Sequence, residues 1–147
     1  MFKHILVPTD GSKLSLKALD MAAKMAASTD AKVSVLHVSS NYPTMIGGDG
    51  YMLMPITPKD WELSVAKHAE HVREKIEKYA KLKAVALQFL NVTVDHPYVG
   101  IIDTANRKKC DVIVMASHGH SGLSALLLGI ETTKVLTHCK LPVLVCR

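Results

Sequence analysis

Short runs of β-branched residues and leucine alternate along this chain with stretches of helical periodicity. The runs are Lys3 to Val7, Val33 to Val38, Val85 to Val94, Asp111 to Met115 and, closing the chain, Pro142 to Cys146. No other feature restricts the fold as strongly. Strands separated by helices pair in parallel through right-handed crossovers, and a parallel sheet must be covered on both faces. The expected class is α/β: an open, five-stranded, mainly parallel sheet with helices on both faces.

The intervening stretches support this. Leu14, Ala18, Met21, Ala22 and Met25 recur at helical spacing, with Lys13, Lys17, Asp20 and Lys24 on the other side. Ser12 can cap that helix and Gly11 allows a tight turn into it. A second stripe runs through Trp61, Val65, Ala69, Val72, Ile76 and Tyr79, against Lys67, Glu70, Glu74, Glu77 and Lys81. Pro97 suits the first position of a third helix carrying Ile101, Ile102 and Ala105, and Arg107-Lys108-Lys109 suits its carboxyl end. A fourth is expected over Glu131 to His138, after Gly129. The segment 39–58 breaks the alternation with three prolines and three glycines. It is longer than most connections, and either a flexible lid over a ligand or a disordered insertion fits its composition.

With 147 residues, 48% hydrophobic and 21% charged, the chain suits one globular domain over residues 1–147. The apolar runs are strand-sized and the start lacks the order of a signal peptide, so a cytoplasmic protein with no membrane partner is expected. Cys110, Cys139 and Cys146 show no metal-ligand spacing and cannot all pair, which favours buried or half-buried thiols. The formal charge of +5 comes from dispersed lysines without interleaved aromatics, so a nucleic-acid partner is not expected. His118 and His120 flank Gly119 but lack a third ligand at metal spacing, and His68 and His71, at i and i+3, are expected to be exposed. His4, His37, His96 and His138 stand alone and are expected to be solvated or satisfied in the core.

The segment Ala116 to Ile130 is where chemistry is expected. A buried strand feeds a loop with small residues at 116, 117, 119, 121 and 122, and Gly129 precedes the last helix. Unpaired backbone N–H groups and the positive end of a helix dipole meet at such a turn, which makes it a candidate anion site.

With these parts in place, the chain resembles the universal stress protein family in its bacterial single-domain form. The resemblance rests on Lys3-His4-Ile5-Leu6-Val7-Pro8-Thr9-Asp10-Gly11-Ser12, Leu36-His37-Val38, Asp111 through Gly129, and Pro142-Val143-Leu144-Val145. It implies a Rossmann-like fold of the adenine nucleotide alpha hydrolase type, with strand order 3-2-1-4-5. It further implies a stress-response role as a sensing or signalling module that binds an adenine nucleotide, ATP foremost, with magnesium or manganese accompanying the phosphates.

The nucleotide-binding branch of the family carries G-x-x-G-x(9)-G-[ST], which falls here on Ala116, Gly119, Gly129 and Ile130; two of the four match. Ala116 is tolerable at a negative φ, and Ile130 brings no hydroxyl, a gap that Thr132 or Thr133 would have to fill. By resemblance, nucleotide-binding positions are Pro8, Thr9, Asp10, Val38, Met115, Ala116, Gly119, His120, Gly129, Ile130, Glu131 and Thr132. Asp10 would approach a phosphate-bound metal. The last strand, with Leu141, Val143, Leu144 and Val145, would pair with its twin in a homodimer, which also protects an apolar edge.

A slow nucleotide hydrolase or autokinase using the same crevice is an alternative, as is a dimeric interaction protein with a degenerate pocket. No catalytic residue is assigned. The chain has no G-x(4)-G-K-[ST] motif, no identifiable second carboxylate for Mg²⁺ and no evident arginine finger, so a binding module outranks an enzyme.

Overall fold

The computed structural model describes residues 1–41, 56–119 and 128–147, and every structural statement concerns these residues. In chain order the elements are β1 (His4–Pro8), α1 (Lys13–Thr29), β2 (Lys32–Ser40), α2 (Pro58–Lys83), β3 (Gln88–Val94), α3 (Pro97–Arg107), β4 (Val112–Ala116), α4 (Ile130–His138) and β5 (Val143–Cys146). The sheet order is β3-β2-β1-β4-β5, and each neighbouring pair is parallel.

Strand alternation divides the core in two. Ile5, Val7, Val33, Val35, Val112 and Val114 face one side and pack with Ala18, Leu19 and Ala22 of α1 and Val72 and Ile76 of α2. Leu6, Leu36, Ile113 and Met115 face the other side, with Ile101 and Ala105 of α3 and Val135 of α4. Two covered faces explain why the strand sequences read as continuous apolar runs rather than alternating ones.

Local signals fix most helix ends. The Ser12 side chain accepts the Ser15 N–H at 3.2 Å, and Gly11 holds φ +78° in the turn before it. Thr57 caps α2 by accepting the Asp60 N–H at 3.1 Å, with Pro58 at the first helical position, and Pro97 opens α3. The third strand starts at Gln88 rather than Val85, because α2 runs to Lys83 and closes on Ala84 at φ +52°. Val85 then donates its N–H to the Ala80 carbonyl at 3.1 Å, a helix-terminating bond that keeps it out of the sheet. Of the stripe expected on α2, only Val72 and Ile76 are fully buried.

β2 extends to Ser40 and α2 begins at Pro58, so the expected 39–58 loop shortens at both ends. Residues 42–55 lie outside the described residues, and with them the choice between lid and insertion. Among the described residues, no helix is long and apolar enough to cross a membrane.

Candidate functional site

In a sheet ordered 3-2-1-4-5, the crossovers leaving β1 and β4 go to opposite sides, and the carboxyl ends of the strands at that switch point border a crevice. Here the crevice measures about 540 Å³. It is lined by Pro8, Thr9 and Asp10 from the end of β1, Leu36, His37 and Val38 from β2, and Met115, Ala116, His118 and Gly119 from β4 and beyond. Ser15, Pro97, Ile101, Gly129, Ile130, Glu131 and Thr132 complete it. All the residues expected to hold a nucleotide therefore border one cavity, apart from His120, which lies outside the described residues.

The turn from β1 into α1 is tied internally. The Thr9 N–H donates to the Leu36 carbonyl at 2.8 Å, and the Thr9 hydroxyl accepts the Gly11 N–H at 3.1 Å while bonding the Ser15 hydroxyl at 2.8 Å. The Asp10 carboxylate accepts the Ser12 N–H at 2.9 Å, the turn geometry that aspartate favours. Across the crevice, Gly119 comes so near Asp10 that a Cβ on it would stand 2.5 Å from Asp10 Oδ2. A side chain at 119 would have to displace the Asp10 carboxylate.

Gly129 is the second such position. Its N–H donates to the Ser117 carbonyl at 2.6 Å, and a Cβ there would meet that oxygen and the His118 Cα, each at 3.1 Å. Gly129 caps α4 without a side-chain hydrogen bond, so the first N–H groups of the helix gain no side-chain partner from their cap. Ala116 is the last residue of β4; among the described non-glycine residues only Asp30, Ala84 and Lys109 have positive φ, so alanine is unstrained there. Ile130 opens α4 with its side chain 66% exposed. The hydroxyls expected to replace a serine at 130 are engaged elsewhere: Thr132 donates to the Ala116 carbonyl at 2.9 Å and Thr133 to the Gly129 carbonyl at 3.1 Å.

His37, expected to be solvated or satisfied in the core, is satisfied in the core and in addition forms part of the wall. It is buried, and its Nδ1 lies 3.1 Å from the Thr9 carbonyl, which can only accept, so Nδ1 carries the proton and Nε2 is left as an acceptor. Burial pushes the imidazole below its ordinary pKa; the Thr9 hydrogen bond and the Asp10 charge pull it up, and His68 pushes it down. His68 and His71 are both exposed as expected, and His68 meets the His37 ring edge-on with centroids 5.4 Å apart. Ser15, Leu36, Pro97 and Ile101 also line the crevice without having been singled out. A polar residue near the carboxyl end of a buried strand was the available signal for His37.

Two carboxylates belong to the site. Asp10 is one; Glu131 is the other, accepting the Tyr98 N–H of α3 at 2.9 Å while its second oxygen lies 3.3 Å from Lys134 Nζ. Among the described residues, no group of three His, Cys, Asp or Glu side chains could hold a metal unaided. The thiols take no part. Burial raises Cys110 to about 11 and also raises Cys146, and neither borders the crevice. The cavity thus joins an apolar slot made by Leu36, Val38, Ile101 and Met115 to a polar rim made by Asp10, Gly119 and the start of α4.

The model of the universal stress protein family matches residues 1–147. Universal stress protein YxiE of Bacillus subtilis (strain 168) is 31% identical over 150 residues, with all of both chains covered. The solved structure of MJ0577 from Methanocaldococcus jannaschii is 28% identical with TM-score 0.76, covering 99% of this chain and 96% of that one. A universal stress protein crystallised in complex with cAMP is 25% identical with TM-score 0.70, covering 99% and 97% of the two chains.

Proposed function

This chain belongs to the universal stress protein family, and from that premise we propose that it binds an adenine nucleotide in the crevice and acts as a sensing or signalling module in a stress response. One observation carries the reading: the ends of β1, β2 and β4 and the start of α4 meet at a single cavity of about 540 Å³. That volume is within the range typical of small-molecule sites. The purine lies in the apolar slot of Leu36, Val38, Ile101 and Met115, and the ribose beside Asp10. Phosphate is received by the backbone around Gly119 and Gly129 and by the N–H groups of Ile130, Glu131 and Thr132, where the helix dipole favours an anion. The relative crystallised with cAMP supports the adenine class.

A phosphate-bound magnesium or manganese fits this donor set through Asp10, since Mg²⁺ is commonly held by one or two carboxylates plus ligand phosphates. Such a metal would neutralise phosphate charge when bound. The sheet also ends in β5 at an edge, with Leu144 39% exposed. We propose that β5, through Leu141, Val143, Leu144 and Val145, pairs with a second copy about a twofold axis.

Calorimetric titration with AMP, cAMP, ADP and ATP tests the binding reading, expected to give one site per chain. A ligand at a hundred times its dissociation constant stabilises the fold by about 2.7 kcal/mol, so the melting temperature must rise as well. An unchanged melting temperature with every nucleotide at millimolar concentration would leave the interaction-protein alternative. Retention of intact ATP in single-turnover assays separates binding from hydrolysis.

A further inference from the structure

We propose that this crevice accepts an adenine nucleotide with a single phosphate group and discriminates against a polyphosphate tail, Glu131 being the residue that sets the limit. The proposal rests on the adenine-nucleotide reading above.

Among the described residues, the lining of the crevice contains no lysine or arginine. Residues 42–55 and 120–127 contain none in the sequence either, so neither segment can bring such a cation to the site. Polyphosphate sites rely on lysine, arginine or a metal to balance charge spread along the tail. Among the described residues, what this cavity offers an anion is the backbone around Gly119 and Gly129 and the start of α4, whose cap Gly129 contributes no side-chain hydrogen bond. A helix dipole acts within its first turn, which is the reach of one phosphate group.

Beyond that group, a longer tail meets negative charge. Glu131 is the second residue of α4 and borders the cavity. Its carboxylate cannot swing aside freely, because it accepts the Tyr98 N–H at 2.9 Å and thereby ties α4 to the start of α3. It therefore holds a carboxylate at the amino ends of α3 and α4, on the border of the cavity. Lys134 Nζ lies 3.3 Å from Glu131 Oε1 and 5.5 Å from the centroid of the Tyr98 ring, an exposed ion pair that offsets only part of the carboxylate's charge. On the other side stands the Asp10 carboxylate, beside Gly119. His37, kept neutral by burial, adds no positive charge at physiological pH. Like charges at short range in a partly desolvated cleft repel more strongly than in bulk water.

Calorimetric titration of the full chain in EDTA with AMP, cAMP, ADP and ATP tests this. The dissociation constants of the unmodified protein should rise along AMP, ADP and ATP, with cAMP grouped with AMP and ATP weaker than AMP by about tenfold or more. In Glu131→Gln, which keeps an acceptor for the Tyr98 N–H, the ratio of ATP to AMP dissociation constants should fall by about threefold or more. ATP binding as tightly as AMP in EDTA overturns the proposal while leaving the adenine reading intact. A ratio unmoved in a folded Glu131→Gln overturns the role of Glu131. If that variant does not fold, the phosphate series on the unmodified protein decides. Absence of binding by all four ligands overturns the adenine reading itself, an outcome distinct from a wrong phosphate preference.

Discussion

The two ends of the sheet are built from the same strands and treated in opposite ways. At the amino end, polar groups are closed on one another. The Asp111 carboxylate accepts the N–H groups of Lys3 and His4 at 2.8 and 2.9 Å, and the His4 ring bridges the Lys108 carbonyl at 3.1 Å and the Ser34 hydroxyl at 2.8 Å. At the carboxyl end, the strands stop at a cavity and α4 begins without a side-chain cap. Hydrogen bonding at one end contributes stability; at the other, Asp10 and Glu131 are also hydrogen-bonded but border a cavity, where they can serve a ligand. The comparison gives a rule for telling binding polar groups from structural ones within a single sheet.

The sharpest way to break the contrast is Gly119→Val. Its Cβ would enter the space of the Asp10 carboxylate, so nucleotide affinity should fall by about a hundredfold, equivalent to about 2.7 kcal/mol. Melting temperature and hydrodynamic size should stay near those of the unmodified protein, because 119 is exposed and outside the core. Undiminished binding by calorimetry would remove the crevice as the site.

Thr132→Val comes next. It removes the hydroxyl that donates to the Ala116 carbonyl at 2.9 Å and leaves that acceptor short of a partner, at a cost of about 1–3 kcal/mol in chemical denaturation. A cost near zero would mean that α4 is held at the rim by packing alone.

His37 separates the ends by pH. Its pKa is lower in the folded protein than its ordinary 6.5, so the unfolded chain binds the extra proton first as pH falls. Stability from this group is complete above pH 6.5 and declines below it, with a slope approaching about 1.4 kcal/mol per pH unit until the folded-state pKa is reached. The slope between pH 6.5 and 5 should flatten in His37→Gln; an identical slope in both proteins would contradict the assignment of a buried neutral imidazole.

The smallest expected effect is at the amino end. Desolvation alone would raise the Asp111 pKa, but the backbone N–H groups of Lys3, His4 and Asp111 itself outweigh it and lower it. A carboxylate with a depressed folded pKa stabilises above its unfolded value of about 3.9, and that contribution disappears as pH drops through the folded pKa. Asp111→Asn should therefore cost about 1 kcal/mol at neutral pH, after allowance for its solvent exposure, and almost nothing in strong acid. Nucleotide affinity should not change, since Asp111 lies at the opposite end of the sheet from the crevice; a tenfold loss would blur the contrast between the ends.

Much of this contrast was legible in the residues. Alternation of apolar strands with helical stripes defines a parallel sheet, and the chemistry of Ser12, Pro97 and Gly129 marks where helices begin. Asp10, Gly119 and Gly129 are associated by the family resemblance, and the convergence of the carboxyl ends of parallel strands agrees with it. Other contacts have no local signature. The bonds from Asp111 to Lys3 and His4 span 108 and 107 positions, and the strap from Glu131 to Tyr98 spans 33. The late start of β3 depends on a left-handed Ala84, a residue type that does not announce such a turn. His37 read as a lone histidine because its partner is a backbone carbonyl, which no sequence pattern reveals.

Backbone amide NMR shifts during titration with AMP test the central claim most directly, because both ends of the sheet are observed in one experiment. The account predicts saturable shifts at Val38, Gly119, Gly129 and Thr132, with Lys3, His4 and Asp111 unmoved. Shifts confined to the amino end, or none at millimolar AMP in a folded sample, would contradict it.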